Sequence, residues 1–397
     1  MASYERSTQK AHWTFPSQED VDRVRADVRS AQVKAAEARG IDPKTMLTEE
    51  ETKAIEAIYL NKIRAWCLDP KEARKLNERL VDVADDGKGG SESARSSQYA
   101  DVLFWTASSF FKRFFLRNSM LQFNPFVMRA VAVYVAGKAE EIPLTSDLRG
   151  VRVDKLGALA NTAPEMIVEN EIAFLGGIDF ELAIFSPQRP LEGLMEALRA
   201  KDPKRAKMWR SLETSARNLL QNVLYTDLLF LQPPSRLAFA ALVTAHGEVK
   251  KNAPDFSREE LLAWILPEGI DPPATLLEEL TALGNQLKEA KGAVKAMGGL
   301  LRASANAEGW VKEWTKHCAK LPAANTKPIK RKRKRETGDG AEDEKEDADD
   351  DAKMDTSGKR IKVEDGGSRG EEQEIASAEK KERKKKKKKK KKDSEKK

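Results

Sequence analysis

The residue types that most often carry catalysis or bind metals are few in this sequence, and their spacing favours neither role. The three histidines, His12, His246 and His317, are far apart, and no Cys, Asp or Glu accompanies them at the spacing of a metal site. Cys318 directly follows His317, a spacing typical of neither a zinc site nor a nucleophile pair. The glycines of 87–90 lack the length and the Gly-Lys-Ser/Thr ending of a phosphate-binding loop. We therefore expect no metal, no cofactor and no catalysis, and the sequence favours a binding module.

The carboxylates fall into two groups that differ in their surroundings. Paired carboxylates such as 140–141 lie on polar helix faces or ends, where we expect them to be solvated. Glu171, in contrast, stands four residues after Ile167 and three before Phe174, on a helix face that is otherwise apolar. A carboxylate in apolar surroundings costs free energy unless another group pairs with it. Glu171 is therefore predicted to have a partner.

Three helical stretches between residues 98 and 182 must position Glu171. The first, QYADVLFWTASSFFKRFFLRNS, is apolar around most of its circumference, which places it at the centre of a bundle. The second begins at Pro125 behind Asn124 as N-cap. The third, which contains Glu171, is predicted to be capped by Thr162 and to end at the glycines 176–177.

The rest of the chain also reads as helical. No alternation of period two persists, so we predict an all-α protein with two helical domains. In the second domain, Ser235 is predicted to cap a helix of small residues that lies centrally. The predicted parts are an N-terminal segment with an amphipathic helix (1–47), a first helical domain (48–185) with a surface insertion (69–98), a second helical domain (186–300), a C-terminal helix (301–321) and a disordered charged tail (322–397).

Charge separates the tail from the rest of the chain. Of the 71 Lys and Arg and the 64 Asp and Glu, 27 and 20 lie in residues 322–397, which leaves 44 of each sign before them. A neutral folded part does not favour a nucleic-acid-binding domain, which usually carries a basic face. Two cysteines suggest no disulfide framework. With no signal peptide and no apolar run of membrane-spanning length, we expect a soluble intracellular protein without a membrane partner.

The tail carries two basic clusters, 328–335 and 357–365, in a segment too charged to fold. The first predicts a nuclear localisation signal, the alternative being a merely solvated tail. The residues of this signal are Lys330, Arg331, Lys332, Arg333, Lys334 and Arg335. The lysine run 384–392 predicts weak, non-specific contact with nucleic acid. The sequence IKVE has the form of a SUMO acceptor site at Lys362.

The two helical series resemble the tandem five-helix cyclin boxes. FFKRFF at 110–115, FSPQRPLEG at 185–193 and YTDLLFLQPPSRLAFAAL at 225–242 are similar to segments of the cyclin H and cyclin C branch. STQKAHWTFPSQEDVDRVRADV at 7–28 is similar to the start of cyclin H and unlike that of cyclin C. The resemblance covers roughly residues 7–320. The insertion and the long charged tail depart from the family pattern.

The resemblance implies a regulatory subunit that binds and activates a cyclin-dependent kinase. Cyclins hold the kinase's C-helix inward so that its Glu pairs with the ATP-binding Lys. For cyclin H the implied kinase is the catalytic subunit of the CDK-activating kinase, which phosphorylates CDK activation segments. The further implied partners are an assembly subunit and the general transcription factor TFIIH, in RNA polymerase II transcription and in the nucleus.

The resemblance also implies which residues bind the kinase. The family uses a Lys at the end of the third helix and a Glu on the fifth to bind the kinase main chain, and these match Lys138 in VAGKAEE and Glu171 in VENEIAFL. The alternative is an internal salt bridge that serves stability alone. Two other functions remain open at this point: a transcriptional cyclin of the C or K type, and a DNA-bound scaffold like the transcription factor IIB core.

Overall fold

The computed structural model describes most of the chain before the tail. The described residues are 3–38, 42, 46, 48–77, 80, 91–120, 122–143, 149–248, 256–266 and 275–303. The chain divides into one unit of residues 1–326 and a second of 327–397, and all described residues belong to the first unit. The predicted C-terminal helix beyond residue 303, the charged tail, both basic clusters and Lys362 therefore lie outside the described residues.

Two helices precede the main body of the fold. Helix α1 is Thr8–Trp13 and α2 is Gln18–Glu37. Helix α2 begins at a capped N-terminus, where the Ser17 side chain accepts a hydrogen bond from the Asp20 amide. Trp13 and Val21 are buried, so both helices pack on the body of the fold.

In the described part of the first bundle there are seven helices. They are α3 (Glu49–Leu68), α4 (Pro70–Leu76), α5 (Ser91–Arg117), α6 (Pro125–Ala139), α7 (Val153–Ala160), α8 (Pro164–Glu169) and α9 (Glu171–Gly177). Helix α5 contacts α2, α3, α6 and α9. The predicted central position of this aromatic stretch is confirmed, because Phe104, Trp105, Phe110, Phe111 and Phe114 are fully buried.

The segment 69–98, which its polar composition predicts to be a partly helical surface insertion, contains helical residues. It supplies α4 and the first two turns of α5, and residues 81–90 lie outside the described part. Ala73 and Leu76, three residues apart on α4, are both buried, and the buried Asn77 donates a hydrogen bond to the Pro143 carbonyl. Two apolar positions are enough to dock a short helix, and composition alone does not reveal them.

The third helical stretch differs from the prediction at both its start and its middle. Thr162 is not the N-cap: its amide and its hydroxyl donate to the carbonyls of Gly157 and Ala160, so that Thr162 completes the end of α7. Helix α8 begins at Pro164 with no side-chain cap. The stretch then breaks at Asn170 into α8 and α9, and it ends at Gly177 as predicted.

The second bundle follows from residue 188. Its helices are α10 (Gln188–Lys201), α11 (Ala206–Gln221), α12 (Leu228–Leu231), α13 (Pro234–Glu248), α14 (Arg258–Ile265) and α15 (Leu276–Ala303). Helix α13 is central as predicted, in contact with α10, α11, α14 and α15. Ser235 is not its cap, because the helix already begins at Pro234, where the fixed φ of proline suits the first turn.

The two bundles pack against each other through α3, α15 and the 3₁₀ turn Asn222–Tyr225. The Tyr225 hydroxyl donates to Asn61 Oδ1 at 2.7 Å, and burial raises the pKa of Tyr225 to about 12, which keeps this donor protonated at neutral pH. Within the described residues there is no β-strand, only an isolated bridge between Pro143 and Arg149, so the prediction of an all-α fold is confirmed there. In that same part of the chain, no helix has the length and apolar character needed to span a bilayer.

Candidate functional site

The structure brings together the two residues predicted to bind the kinase. Lys138, in the last turn of α6, forms an ion pair with Glu171, the first residue of α9, although 33 positions separate them in the sequence. The Glu171 side chain is 16% exposed and the Lys138 side chain 48% exposed. The ammonium also lies 5.1 Å from the centre of the Tyr134 ring. The carboxylate is thus compensated, while half of the lysine remains available to another molecule.

Close backbone packing fixes the position of Lys138. A Cβ at Gly137 would lie 2.5 Å from Val151 Cγ2, so only glycine allows the segment after the bridge to pack on α6. Gly150, at φ 112, lies in the same segment, and its amide donates to the Ile142 carbonyl at 2.8 Å. The two glycines allow residues 150–151 to support the end of α6.

Helix α9 packs directly on the central helix. The rings of Phe174 and Phe114 are stacked at 4.8 Å between centres, with 8° between their planes. A Cβ at Gly177 would lie 2.3 Å from Phe114 Cε2, whereas nothing lies within 4 Å of a Cβ at Gly176. Glu171 is therefore carried by a short helix whose buried face is held by α5.

The other face of this region is exposed and apolar. All the exposed large apolar side chains of the described residues occur within 17 positions of the sequence, on α8, α9 and the segment that follows. They form what we call the apolar patch: Met166, Val168, Ile172, Phe180 and Leu182. Ile172 is 69% exposed and stands next to Glu171 in the sequence. Exposed apolar side chains concentrated in this way make this region a candidate docking surface.

The N-terminal segment binds the chain just beyond this patch. Gln9 exchanges two hydrogen bonds with the backbone of Phe185, at 2.8 and 3.2 Å. Buried Trp13 donates from Nε1 to Glu181 at 2.6 Å. Buried Arg113, from FFKRFF, donates to Gln9 Oε1 and to the Glu181 carbonyl. Burial lowers the pKa of Arg113, and the charge of Glu181 opposes this effect.

The remaining candidates for chemistry are dispersed. His246 Nε2 bonds to the Phe256 carbonyl, and His12 bonds to Glu181, whereas His317 lies outside the described residues. Glu140 is not simply solvated as predicted, because it is half-buried and accepts a hydrogen bond from Thr106 at 2.6 Å. In the described part, no group of three or more His, Cys, Asp or Glu side chains has the geometry of a metal site.

Similarity to known proteins agrees with this architecture. Residues 186–289 match the family model described as the cyclin C-terminal domain. Cyclin-H1-1 of Arabidopsis thaliana is 30% identical over 258 residues, which are 62% of this chain and 71% of the relative. The chain belongs to the cyclin H family. Cyclin-H of Xenopus laevis is 26% identical over 265 residues, 64% of this chain and 72% of the relative. Membership decides against the two alternatives, a C- or K-type cyclin and a scaffold like transcription factor IIB.

A solved structure of a CDK-activating kinase complex from Chaetomium thermophilum, bound to ATP-γ-S, contains a chain similar to this cyclin H. The two are 20% identical, with a TM-score of 0.46, over 83% of this chain and 99% of the other.

Sequence reasoning found the charged pair of this cyclin H but missed the apolar patch. Met166, Val168 and Ile172 stand in a stretch that also contains the fully buried Ile167 and Phe174, so composition does not separate core from surface there. Helical geometry gives one usable signal. Residues 166 and 168 flank the buried Ile167, and three consecutive residues of a helix cannot all face the core.

Proposed function

We propose that this chain is the regulatory subunit of a CDK-activating kinase, with no catalysis of its own, and that it binds the small lobe of the catalytic subunit. Cyclin-H1-1 and Xenopus Cyclin-H support the choice of kinase by family membership. The observation that carries the proposal is the apolar patch beside the Lys138–Glu171 pair, which leaves a half-exposed ammonium next to uncovered apolar side chains.

The chemistry of this surface suits a kinase helix with its flanking main chain. Apolar side chains such as Ile172 and Met166 can pack against an apolar helix face. Full burial of an exposed side chain contributes about 1.5–3 kcal/mol, and these contribute less because part of each is already buried in the free chain. Lys138 can donate to main-chain carbonyl groups and Glu171 can accept from main-chain amides, so the pair carries the two groups that a kinase main chain requires. Binding in this way holds the kinase C-helix inward, which assembles the Lys–Glu pair that phosphoryl transfer requires.

The same proposal includes the complex and its location. The assembly subunit and TFIIH are partners implied by the cyclin H family, and the basic cluster Lys330–Arg335 directs the chain to the nucleus. The lysine run 384–392 adds weak, salt-sensitive contact with nucleic acid without reading sequence.

Kinase activation tests the proposal. The full-length chain is mixed with the catalytic subunit of the CDK-activating kinase, and phosphorylation of a CDK activation-segment peptide is followed. We expect strong activation by the wild type and a large loss with Lys138→Ala/Glu171→Ala. Ile172→Ser removes the most exposed apolar side chain of the patch, so it should keep most of the stability of the chain and weaken the complex.

The matched control is Glu279→Ala, which removes an exposed ion pair with Arg236 in the second bundle. It should activate like the wild type. Failure of the wild-type chain to bind or activate the kinase would overturn the proposal, and so would full activation by both the charge variant and the apolar variant.

A further inference from the structure

The turn that follows α9 has an unusual backbone conformation. The Asp179 amide donates to the Gly176 carbonyl at 3.1 Å, and the Phe180 amide donates to the Leu175 carbonyl at 2.8 Å. This is the hydrogen-bond pattern of a Schellman cap, in which the residue after the cap adopts a left-handed conformation and is usually glycine. Here that residue is Asp179, at φ 56, and Phe180 follows at φ 58. Among the described residues, only here do two adjacent non-glycine residues have positive φ.

The second of these residues is the more unusual. A bulky side chain at positive φ is a rare outlier, and such a residue persists only where its surroundings impose the conformation. In a Schellman cap the residue at this position usually packs back on its helix. Phe180 does not, since it is 61% exposed. The backbone conformation thus carries an aromatic ring out into solvent.

Contacts from α5 and α1 hold the first residue of the turn. Arg117, at the end of α5, donates to the Asp179 carboxylate at 2.5 Å. Its guanidinium lies 3.7 Å from the centre of the Trp13 ring, and it also donates to the His12 carbonyl at 2.6 Å. The left-handed Asp179 is therefore connected through one arginine to the end of α1.

Glu181 makes a second and independent connection to the same helix. Its side chain is 12% exposed, its Oε2 accepts from Trp13 Nε1 at 2.6 Å, and its Oε1 bonds to His12 Nδ1. Its two neighbours in the chain face outward instead, since Phe180 is 61% exposed and Leu182 is 39% exposed. Both are members of the apolar patch.

We propose that Glu181 is a positioning residue through which α1 holds the turn 179–182, so that Phe180 and Leu182 face the kinase. The inference rests on the proposed function, in which the apolar patch binds the catalytic subunit, and it adds that α1 controls this binding without touching the kinase. Once the bonds to His12 and Trp13 are lost, Arg117 still holds Asp179, but the chain on the other side of Phe180 is released and the ring loses its fixed outward position.

A double-mutant cycle tests this mechanism. Affinity for the catalytic subunit is measured by calorimetry for the full-length wild type, Glu181→Ala, Phe180→Ala/Leu182→Ala and the triple variant. We expect Glu181→Ala alone to weaken binding about tenfold. In the background that lacks both outward side chains, the same substitution should change affinity less than about twofold, because its effect acts through them. Wild-type affinity of Glu181→Ala, or equal losses in both backgrounds, would overturn the inference.

Amide hydrogen exchange of the free protein tests the positioning role of Glu181 without the kinase. In Glu181→Ala the amides of 179–182 should exchange faster, while those of α6 stay as in the wild type. Trp13→Phe keeps an aromatic ring near Arg117 but removes the Nε1 donor and part of a buried side chain. Because His12 still bonds to Glu181, it should raise the exchange of the same amides by a smaller amount. Glu279→Ala should leave the exchange rates of the amides of 179–182 unchanged.

The two failures are distinguishable. A wild-type chain that does not bind the kinase overturns the proposed function, whatever the exchange shows. Unchanged exchange at 179–182 in both Glu181→Ala and Trp13→Phe overturns the positioning role, even if the kinase binds.

Discussion

Arg25 and Asp227 form a paired, two-point salt bridge that ties α2 to the turn before α12. Nη1 and Nη2 of Arg25 donate to the two carboxylate oxygens of Asp227 at 2.6 and 2.5 Å, and Gln18 donates to the same carboxylate at 2.9 Å. Both side chains of the pair are about 15% exposed, at 16% and 15%. Helix α1 binds residues 181–185, before α10, and α2 binds Asp227, after α11. The N-terminal segment is therefore attached to the chain on both sides of these two helices.

Asp227→Asn should destabilise the protein by about 3 kcal/mol, because it removes the buried carboxylate that forms the two-point pair with the Arg25 guanidinium. Urea unfolding measures this loss. Asp22→Asn is the matched control, since Asp22 contacts the same arginine at 3.5 Å but is half exposed. It should cost less than about 1 kcal/mol. Equal losses in the two variants would show that burial of the pair contributes nothing.

The same pair predicts an acid-dependent loss of stability. Burial alone would raise the pKa of Asp227, but the hydrogen bonds from Arg25 and the charge of Lys112 hold it well below its ordinary value of about 3.9. A carboxylate with a lowered folded-state pKa contributes stability that is complete above its unfolded pKa and is lost as the pH falls through the folded pKa. Between pH 5 and 3 the urea midpoint should therefore fall more steeply in the wild type than in Asp227→Asn. Parallel curves would contradict this prediction.

The neighbouring glycines of α9 should respond in opposite ways to the same substitution. Gly177→Ala drives a methyl group into Phe114, at 2.3 Å from Cε2, and should cost about 1–3 kcal/mol through overpacking. Gly176→Ala meets no atom within 4 Å and should stabilise the helix by up to about 1 kcal/mol. Thermal unfolding of both variants measures the difference. A destabilised Gly176→Ala would show that α9 packs more tightly than the structure has it.

His246 should make stability depend on pH near neutrality. Burial lowers the pKa of His246 below its ordinary value of about 6.5, the charge of Arg258 acts in the same sense, and the hydrogen bond to the Phe256 carbonyl opposes them. The unfolded chain therefore binds a proton before the folded chain does, and stability falls as the pH drops below about 6.5. His246→Gln keeps a donor for the carbonyl and should flatten the curve of unfolding midpoint between pH 7 and 5. An unchanged slope would mean that His246 titrates as in the unfolded chain.

The central helix of each bundle could be predicted from the sequence because the residue pattern of that one helix is sufficient. The aromatic residues of 104–115 surround α5, and the small residues of 238–245 fill α13, so both predictions needed local information only. The ion pair of Lys138 with Glu171 also followed from local signals, namely a carboxylate on an apolar face and a family motif.

Long-range contacts account for what the sequence did not reveal. Trp13 and Glu181 are 168 positions apart, and Arg25 and Asp227 are 202 apart, so no periodicity connects them. Lys112 looks like a surface charge within FFKRFF, yet it is 3% exposed and pairs with Glu56 at 2.8 Å. Thr162 does not cap α8, because its hydroxyl donates to the Ala160 carbonyl in the turn that ends α7.

The basic cluster of the tail should control the location of the chain. A fluorescent fusion of the full-length protein should accumulate in the nucleus, and replacement of Lys330, Arg331, Lys332, Arg333, Lys334 and Arg335 by alanine should spread it through the cell. Alanine at six of the nine lysines of the run 384–392 removes the same number of charges and is the control for charge alone. Unchanged accumulation in the first variant, or equal loss in both, would contradict a specific signal.

Exchanging the charges of Lys138 and Glu171 separates stability from binding. If the pair only stabilises the fold, Lys138→Glu/Glu171→Lys rebuilds the attraction and should restore both the unfolding midpoint and kinase activation. If the lysine donates to kinase carbonyls and the glutamate accepts from kinase amides, the exchange reverses each hydrogen-bond role. The exchanged chain should then be about as stable as the wild type and should bind the kinase at least about tenfold more weakly.

The control exchange is Glu72→Lys/Lys75→Glu on α4, which reverses an exposed pair of the same bundle and should leave activation intact. The single alanine variants should affect both stability and affinity. Lys138→Ala leaves the Glu171 side chain, which is 16% exposed, without its cation, so this variant should be less stable and should bind the kinase more weakly. Full activation by the exchanged chain would identify the pair as structural, because a reversed pair can satisfy itself but cannot satisfy the main chain of a partner.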